Sequence, residues 1–172
     1  MYNSEKYWNE RKDPNKYNHI MDYEQRVIPP FVKDGETVLD FGCGIGRTFE
    51  LYKDKEVTGV DFSKIYADRC DPRMTHIVHN VHKKKLPFED NHFDKGVMIK
   101  VTLHATDKEV RRIISEVGRV CKEVMIIAYY GDLPKLAPHV FKHKYKDIIE
   151  DLCFEVVKFE KIEDNQAVII YK

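Results

Sequence analysis

Short apolar stretches recur along the chain at spacings typical of strands. Each is five to nine residues long, is rich in β-branched or aromatic residues, and is bounded by polar or turn-forming residues. The predicted strands cover residues 37–41, 56–62, 76–81, 93–101, 123–130, 154–162 and 167–172. The fifth stretch, "EVMIIAYY", is the most apolar, which is typical of a strand that is covered on both faces of a sheet.

Helical patterns separate the strands. The clearest is "TDKEVRRIISEVGRVCK", whose apolar residues recur at the i, i+3, i+4, i+7 spacing of one helix face. Shorter helices are predicted for "RTFELYKD", for "SKIYADRC" with Ser63 as N-cap, and for "KYKDIIEDLC". The N-terminal part predicts one or two helices that end before Pro29, because proline disfavours a helical conformation in the residue before it.

The alternation of strands and helices predicts βαβ units in a doubly wound, mostly parallel sheet. The last two strands differ, because only four residues separate them, including the turn signal "EDN". So short a connection requires an antiparallel hairpin. With 172 residues and no linker or repeat, we expect a single domain over residues 1–172.

Composition excludes several classes of protein. Lys plus Arg equal Asp plus Glu at 29 each, which argues against a DNA-binding surface. The four cysteines, Cys43, Cys70, Cys121 and Cys153, are far apart and form no C-x-x-C pair, so we expect reduced thiols and no metal site. The polar N-terminus is unlike a signal peptide, and no apolar run approaches the roughly 18 residues of a membrane span. These features predict a cytoplasmic protein with no membrane association.

The stretch "VLDFGCGIGR" places three glycines at alternate positions directly after the first strand. In open α/β sheets ligands bind beyond the carboxyl ends of the strands, where glycines let the backbone approach closely. The dinucleotide fingerprint G-x-G-x-x-G would need its last glycine at the position of Arg47, but the glycine here is Gly46. Asp40 favours a cationic ligand, and Asp61, which ends the second strand, can accept hydrogen bonds from ribose hydroxyls.

At this point the sequence resembles the class I S-adenosylmethionine-dependent methyltransferases of the small-molecule type. The resemblance is carried by "VLDFGCGIGR", "VTGVDFS", "HNVHKKKLPFEDNHFDKGVMIKVTLHAT", "EVRRIISEVGRVCKEVMIIAYY" and "HVFKHKYKDIIEDLCFEVVKFE", in that order, and by "KYWNER" as an N-terminal lid helix. It covers nearly the whole chain. It implies a Rossmann-like sheet of order 3-2-1-4-5-7-6, with a helical lid over residues 1–35 and a core over residues 36–172.

The resemblance also implies the cofactor S-adenosyl-L-methionine and the residues that bind it. The expected cofactor-binding residues are Asp40, Gly42, Cys43, Gly44, Gly46, Asp61, Phe62, Asn80, Val81 and Lys100. Asn80 replaces the family's usual aspartate, and its side-chain carbonyl can still accept from the adenine amino group. The usual K-P-G-G turn is missing before the fifth strand, and Cys153 replaces the usual glycine before the sixth. Both departures are expected to be structural.

The same resemblance nominates residues around the acceptor. His104 follows the fourth strand, where it is expected either to act as a general base or to pack against the next helix. Substrate or lid residues are expected among Tyr7, Trp8, Tyr17, Tyr130 and His143.

The sequence therefore predicts methyl transfer to a small molecule by a monomer or homodimer. The N/D-P-P-Y/F signature of adenine and cytosine N-methyltransferases is missing, which also makes DNA an unfavourable substrate. Two alternatives stay open: a non-catalytic or regulatory S-adenosylmethionine-binding protein, and an RNA or protein methyltransferase that needs a partner for its substrate site. The basic runs "HKKK" and "KHKYK" fit either solvated surfaces or an acidic substrate.

Overall fold

The computed structural model describes residues 4–10, 18–52, 54–130, 140–163 and 166–172. Its strands form one sheet of order β3-β2-β1-β4-β5-β7-β6, which confirms the predicted fold. The strands β1 to β5 pair in parallel, and β7 is antiparallel to both of its neighbours. Their bounds are β1 Thr37–Phe41, β2 Glu56–Asp61, β3 Thr75–Val78, β4 Phe93–Ile99, β5 Cys121–Tyr129, β6 Val156–Ile162 and β7 Gln166–Tyr171.

Helices cover both faces of this sheet. They are α1 Ser4–Asn9, α2 Asp22–Phe31, α3 Lys64–Ala67, α4 Asp107–Val120 and α5 Tyr145–Asp151. The first turn of α4 is closed by a capping box between Thr106 and Glu109. The helices α4 and α5 belong to one apolar cluster and α2 to the other, so the sheet is buried between two layers. No helix in the described part of the chain is both long and apolar enough to cross a bilayer.

The prediction that the N-terminal helix ends before Pro29 is wrong. The helix α2 includes Pro29 and Pro30 and continues to Phe31. Both prolines are exposed and lie in the last turn, whereas Ile28 and Phe31 on either side are buried. Because burial of these two side chains fixes the last turn, it outweighs the cost of the missing proline N–H groups.

Other predicted boundaries also need correction. The residues after the glycines form only a 3₁₀ turn, Phe49–Tyr52, instead of a helix beginning at Arg47. The strand β4 ends at Ile99, because Lys100 has a φ of 56° and leaves the extended conformation. Ser63 is the N-cap residue of α3, as predicted, although its side chain makes no capping hydrogen bond.

The two departures from the family pattern have structural explanations. Cys153 has a φ of 63°, in the left-handed region that favours the glycine usually found there. The helix α4 ends at Val120 and β5 begins at Cys121, so no residues are left for a K-P-G-G turn. Both departures lie where a helix passes into the next strand.

Candidate functional site

The glycine-rich loop follows β1 at the carboxyl edge of the sheet. Gly42, Gly44 and Gly46 have φ values of 74°, 57° and 74°, so all three adopt the left-handed conformation. At Gly42 an added Cβ would lie 2.3 Å from Cγ2 of Val101, the residue that follows Lys100 after β4. At Gly44 the nearest atom to an added Cβ is 3.8 Å away, on Tyr66. The loop therefore packs tightly against the end of β4 and leaves bare backbone beside Tyr66.

Replacing Gly42 with alanine is expected to lower the free energy of unfolding by about 2–3 kcal/mol, because the added Cβ combines a left-handed backbone with overpacking against Val101. Gly35→Ala is a matched control. Gly35 also has a positive φ, 79°, but an added Cβ there meets nothing within 4 Å. Urea denaturation compares the two variants. Equal losses would contradict the close approach of Gly42 to Val101.

Asp61 joins the loop to the end of β2. One carboxylate oxygen accepts a hydrogen bond from the backbone N–H of Gly44 at 3.1 Å, and the other accepts from the N–H of Ser63 at 2.8 Å. Burial raises the pKa of Asp61, and these backbone hydrogen bonds oppose the shift. The carboxylate of Asp61 thus lies beside the glycine backbone at the carboxyl edge of the sheet.

Asp40 lies at the floor of the loop and is 2% exposed. Its Oδ2 atom accepts a hydrogen bond from the hydroxyl of Thr48 at 3.1 Å. Burial raises the pKa of Asp40 to about 7, although Thr48 and Arg47 lower it. A buried carboxyl with this pKa gains strongly from a cation, so Asp40 suits an ammonium group.

The segment after β3 supplies Asn80 and Val81. Oδ1 of Asn80 accepts a hydrogen bond from the N–H of His82 at 2.9 Å. Val81 is buried, and its carbonyl accepts a hydrogen bond from Nε of Arg112 at 2.6 Å. Both residues are therefore held in a fixed turn. Phe62, the other residue expected near the adenine, is half-buried directly after Asp61.

Lys100 marks the end of β4. Its backbone N–H donates to the carbonyl of Ile127 at 2.8 Å, so this N–H is already used within the sheet. Its ammonium lies 5.4 Å from the centre of the Tyr23 ring, over the face of a buried tyrosine on α2. Any backbone contact from Lys100 to a cofactor must therefore come from its carbonyl.

Trp8 on α1 contacts residues on two sides of the glycine-rich loop. Its ring lies 4.8 Å from the ring of His104 and 6.0 Å from the ring of Tyr66, both in edge-to-face geometry. The neighbouring Tyr7 packs edge-to-face on Trp8 at 5.2 Å. Trp8 thus bridges the segment after β4 and the helix after Asp61. This is the position that a lid over the loop would occupy.

Three other predicted substrate residues have different surroundings. His143 is bound on both ring nitrogens, by Asp107 at 2.8 Å and by the carbonyl of Thr102 at 3.1 Å, so it anchors the segment after β4. The ring of Tyr130 packs on Phe159 of β6 at 4.9 Å. Tyr17 lies outside the described residues.

Sequence reasoning missed an ion pair that joins α2 to the glycine loop. Arg47 donates two hydrogen bonds to the carboxylate of Glu24, at 2.6 and 2.7 Å, and a third to the carbonyl of His19 at 3.0 Å. The side chain of Glu24 is 0% exposed. The available signal was an arginine in the glycine motif, but nothing in the sequence pointed to its partner.

The sequence was compared with protein families and with known proteins. Residues 38–124, slightly more than half of the chain, match the protein family described as Methyltransferase domain. An uncharacterised protein of Methanocaldococcus jannaschii is 28% identical over 158 residues, which are 90% of this chain and 61% of that protein. A 24-methylenesterol C-methyltransferase of Arabidopsis thaliana is 27% identical over 70% of this chain and 36% of its own length. The chain thus spans less than two thirds of these relatives.

Solved structures show the same fold. A magnesium protoporphyrin IX methyltransferase from Synechocystis, with bound S-adenosylmethionine, superposes with a TM-score of 0.73 at 14% identity. The match covers 99% of this chain and 97% of that chain. At this identity the similarity establishes the fold, whereas the family rests on the match over residues 38–124.

Proposed function

The chain belongs to the class I S-adenosylmethionine-dependent methyltransferases, and from this membership we propose that it transfers a methyl group to a small-molecule acceptor. The observation that carries the proposal is the meeting of Asp61 with the glycine loop, where its carboxylate lies 3.1 Å from the N–H of Gly44. Sterol and magnesium protoporphyrin methyltransferases among the similar proteins support a small-molecule acceptor.

The residues of the loop fit the cofactor. Bare glycine backbone at Gly44 provides room for close approach, Asp61 offers acceptors for ribose hydroxyls, and Asp40 offers a carboxylate for the ammonium, directly or through water. Phe62, Asn80 and Val81 would line the adenine. When bound, S-adenosylmethionine supplies a methyl group that its positively charged sulfur has already activated. The chain then has mainly to bring the acceptor close and to orient it.

The N-terminal helices would act as the lid of a single domain. Trp8 contacts both His104 and Tyr66, so it would cover the site and exclude water. Arg47 and Glu24 fix α2 against the loop. We propose that residues 1–35 form this lid and that the acceptor enters between Trp8 and the end of β4.

Asp61→Ala is expected to weaken S-adenosylmethionine binding about 100-fold, because it removes charged acceptors for the ribose. Asp68→Ala is the control, since Asp68 is an exposed aspartate paired with Lys64. Isothermal titration calorimetry measures both affinities, and thermal unfolding checks that the folds are intact. Equal affinity in Asp61→Ala and in the parent would contradict the ribose role.

His104 has two possible roles, and its ring contact with Trp8 favours packing over proton transfer. We expect His104→Ala to raise KM for the acceptor while keeping at least about a tenth of kcat, because the variant loses only a packing contact. The loss of a general base would instead lower kcat roughly 10²–10⁴-fold. Steady-state kinetics across pH tests this. A loss of kcat beyond about 100-fold, with loss of the acidic limb of the pH profile, would instead identify a base.

The acceptor can be found by incubating the protein with methyl-labelled S-adenosylmethionine and a metabolite pool. Mass spectrometry then identifies the species that acquires the label, with Asp61→Ala as the background. Label in a small molecule supports the proposal. Cofactor binding without any labelled product favours a regulatory protein, and label that appears only after a partner, RNA or protein is added favours the second alternative.

A further inference from the structure

Three side chains with soft donor atoms meet behind the glycine loop. The Sγ atoms of Cys43 and Cys70 and a ring nitrogen of His76 all lie within 4.8 Å of one another. Cys43 is buried, whereas Cys70 and His76 are partly exposed, which leaves a route from solvent. Their spacing along the chain, 27 and 6 residues, matches no sequence motif for a metal site. Folding alone brings them together.

The fold creates the space for these side chains. Cys43 belongs to the glycine loop, Cys70 follows α3, and His76 lies on β3, where it pairs with Gly59 of β2. An added Cβ at Gly59 would lie 2.8 Å from Sγ of Cys43. A Cβ at Gly46 would lie 3.3 Å from Sγ of Cys70. Each sulfur atom therefore occupies room that a neighbouring glycine leaves free.

A second observation concerns His76 itself. The Nε2 atom of His76 is buried and has no hydrogen-bond partner among the described residues. An unsatisfied buried polar atom costs about 1–3 kcal/mol, and a bound ion is one of the recognised explanations for such an atom. Two thiols beside an unpartnered imidazole form a donor set that prefers thiophilic ions to Mg²⁺ or Ca²⁺.

We propose that Cys43, Cys70 and His76 bind one thiophilic divalent cation of the Zn²⁺ type. Tetrahedral zinc, with bonds of about 2.3 Å to sulfur and 2.0 Å to nitrogen, holds its ligand atoms about 3.5–3.8 Å apart. The two Sγ atoms and the ring nitrogen, which lie within 4.8 Å of one another, therefore need to move closer by at most about 1 Å. Both thiols lose a proton on binding and the imidazole binds as the neutral base, so each ion releases two protons.

The site goes beyond methyl transfer, because its ion would tie β3 to the cofactor loop. Cys43 lies between Gly42 and Gly44, in the loop that is proposed to bind the cofactor. An ion at this cysteine would fix the loop from behind. Binding of the ion can be measured without cofactor or acceptor, so its failure and the failure of the proposed function are separate results.

Cobalt is a suitable probe, because Co²⁺ takes zinc sites and thiolate ligands give it charge-transfer absorption. The reduced full chain is titrated with Co²⁺ and then with Zn²⁺. We expect one equivalent of Co²⁺ with thiolate absorption, displaced by Zn²⁺. The single variants Cys43→Ser, Cys70→Ser and His76→Gln should each lose this stoichiometric binding. Cys153→Ser, which removes an exposed thiol elsewhere, should keep it.

A second measurement needs no variant and so does not depend on how the variants fold. Peptide-mapped alkylation of the unmodified chain should show that Zn²⁺ slows the modification of Cys70 at least tenfold and leaves Cys153 unchanged. Equal alkylation of Cys70 with and without Zn²⁺ would overturn the proposal. So would full cobalt binding by Cys70→Ser, or its loss in Cys153→Ser alone.

Discussion

Arg47→Ala is expected to lower the free energy of unfolding by about 3–5 kcal/mol. The guanidinium makes two hydrogen bonds to the carboxylate of Glu24, whose side chain is 0% exposed. Removing it leaves a carboxylate buried without its counter-charge, and this costs far more than the net value of the pair. Urea denaturation at neutral pH measures the loss.

Two further variants separate the burial of charge from the loss of an arginine. Arg73 also pairs with two acids, Asp71 and Glu50, but its side chain is 58% exposed. Arg73→Ala should therefore lower stability far less than Arg47→Ala, because solvent screens exposed ion pairs. The double variant Arg47→Met with Glu24→Gln leaves no charge behind and should recover most of the loss. If Arg47→Ala costs no more than Arg73→Ala, the pair does not hold α2 to the loop.

Several features of the fold and of the candidate site could be predicted from the sequence, although this ion pair could not. The alternation of strands and helices was predictable because period-2 and period-3.6 patterns are local, and the short last connection required a hairpin. The strand order followed from the resemblance to the methyltransferase family, and the described sheet confirms it. The loop residues Asp40, Gly42 and Asp61 were predictable for a related reason. Each lies at or just beyond a strand end, and the ends of parallel strands meet at one edge of the sheet.

What the sequence could not predict depends on contacts between distant segments. Glu24 looks like an ordinary acid in the first turn of a helix, and only the fold places Arg47 against it, 23 residues further on. Pro29 looks like a helix end, but burial of Phe31 extends the helix past it. His143 was expected near the acceptor, yet it binds Asp107 and Thr102, which lie about 40 residues earlier in the chain.

Asp40→Asn is expected to stabilise the protein at pH 8 by up to about 4 kcal/mol. Burial raises the pKa of Asp40 from 3.8 to about 7, so the folded protein keeps a proton that the unfolded chain has lost. Stability from this group is complete below pH 3.8 and falls by about 1.4 kcal/mol per pH unit until pH 7. Asparagine has no charge to bury and can still accept the hydrogen bond of Thr48.

Asp94→Asn is a control of opposite sign. Hydrogen bonds from Lys122 and Thr37 lower the pKa of Asp94 to about 2, so the charged form is the one that stabilises the folded protein. That variant should lose stability at pH 8, whereas Asp40→Asn gains it. Denaturation curves at pH 4 and pH 8 test Asp40→Asn, and the curve at pH 8 tests the loss in Asp94→Asn. A difference between Asp40→Asn and the parent that does not grow with pH would contradict the raised pKa.

Asp40→Asn should also weaken S-adenosylmethionine binding about 10- to 100-fold at pH 8, because the ammonium of the cofactor loses its proposed charged partner. Binding to the parent should strengthen as pH rises from 5 to 7 and Asp40 ionises, and binding to Asp40→Asn should lack this dependence. Calorimetry across this range measures both. If Asp40→Asn is more stable and still binds the cofactor as tightly as the parent, the charge of Asp40 contributes neither to folding stability nor to cofactor binding. A gain in stability with a loss of affinity would instead show that the chain keeps a costly buried acid for its ligand.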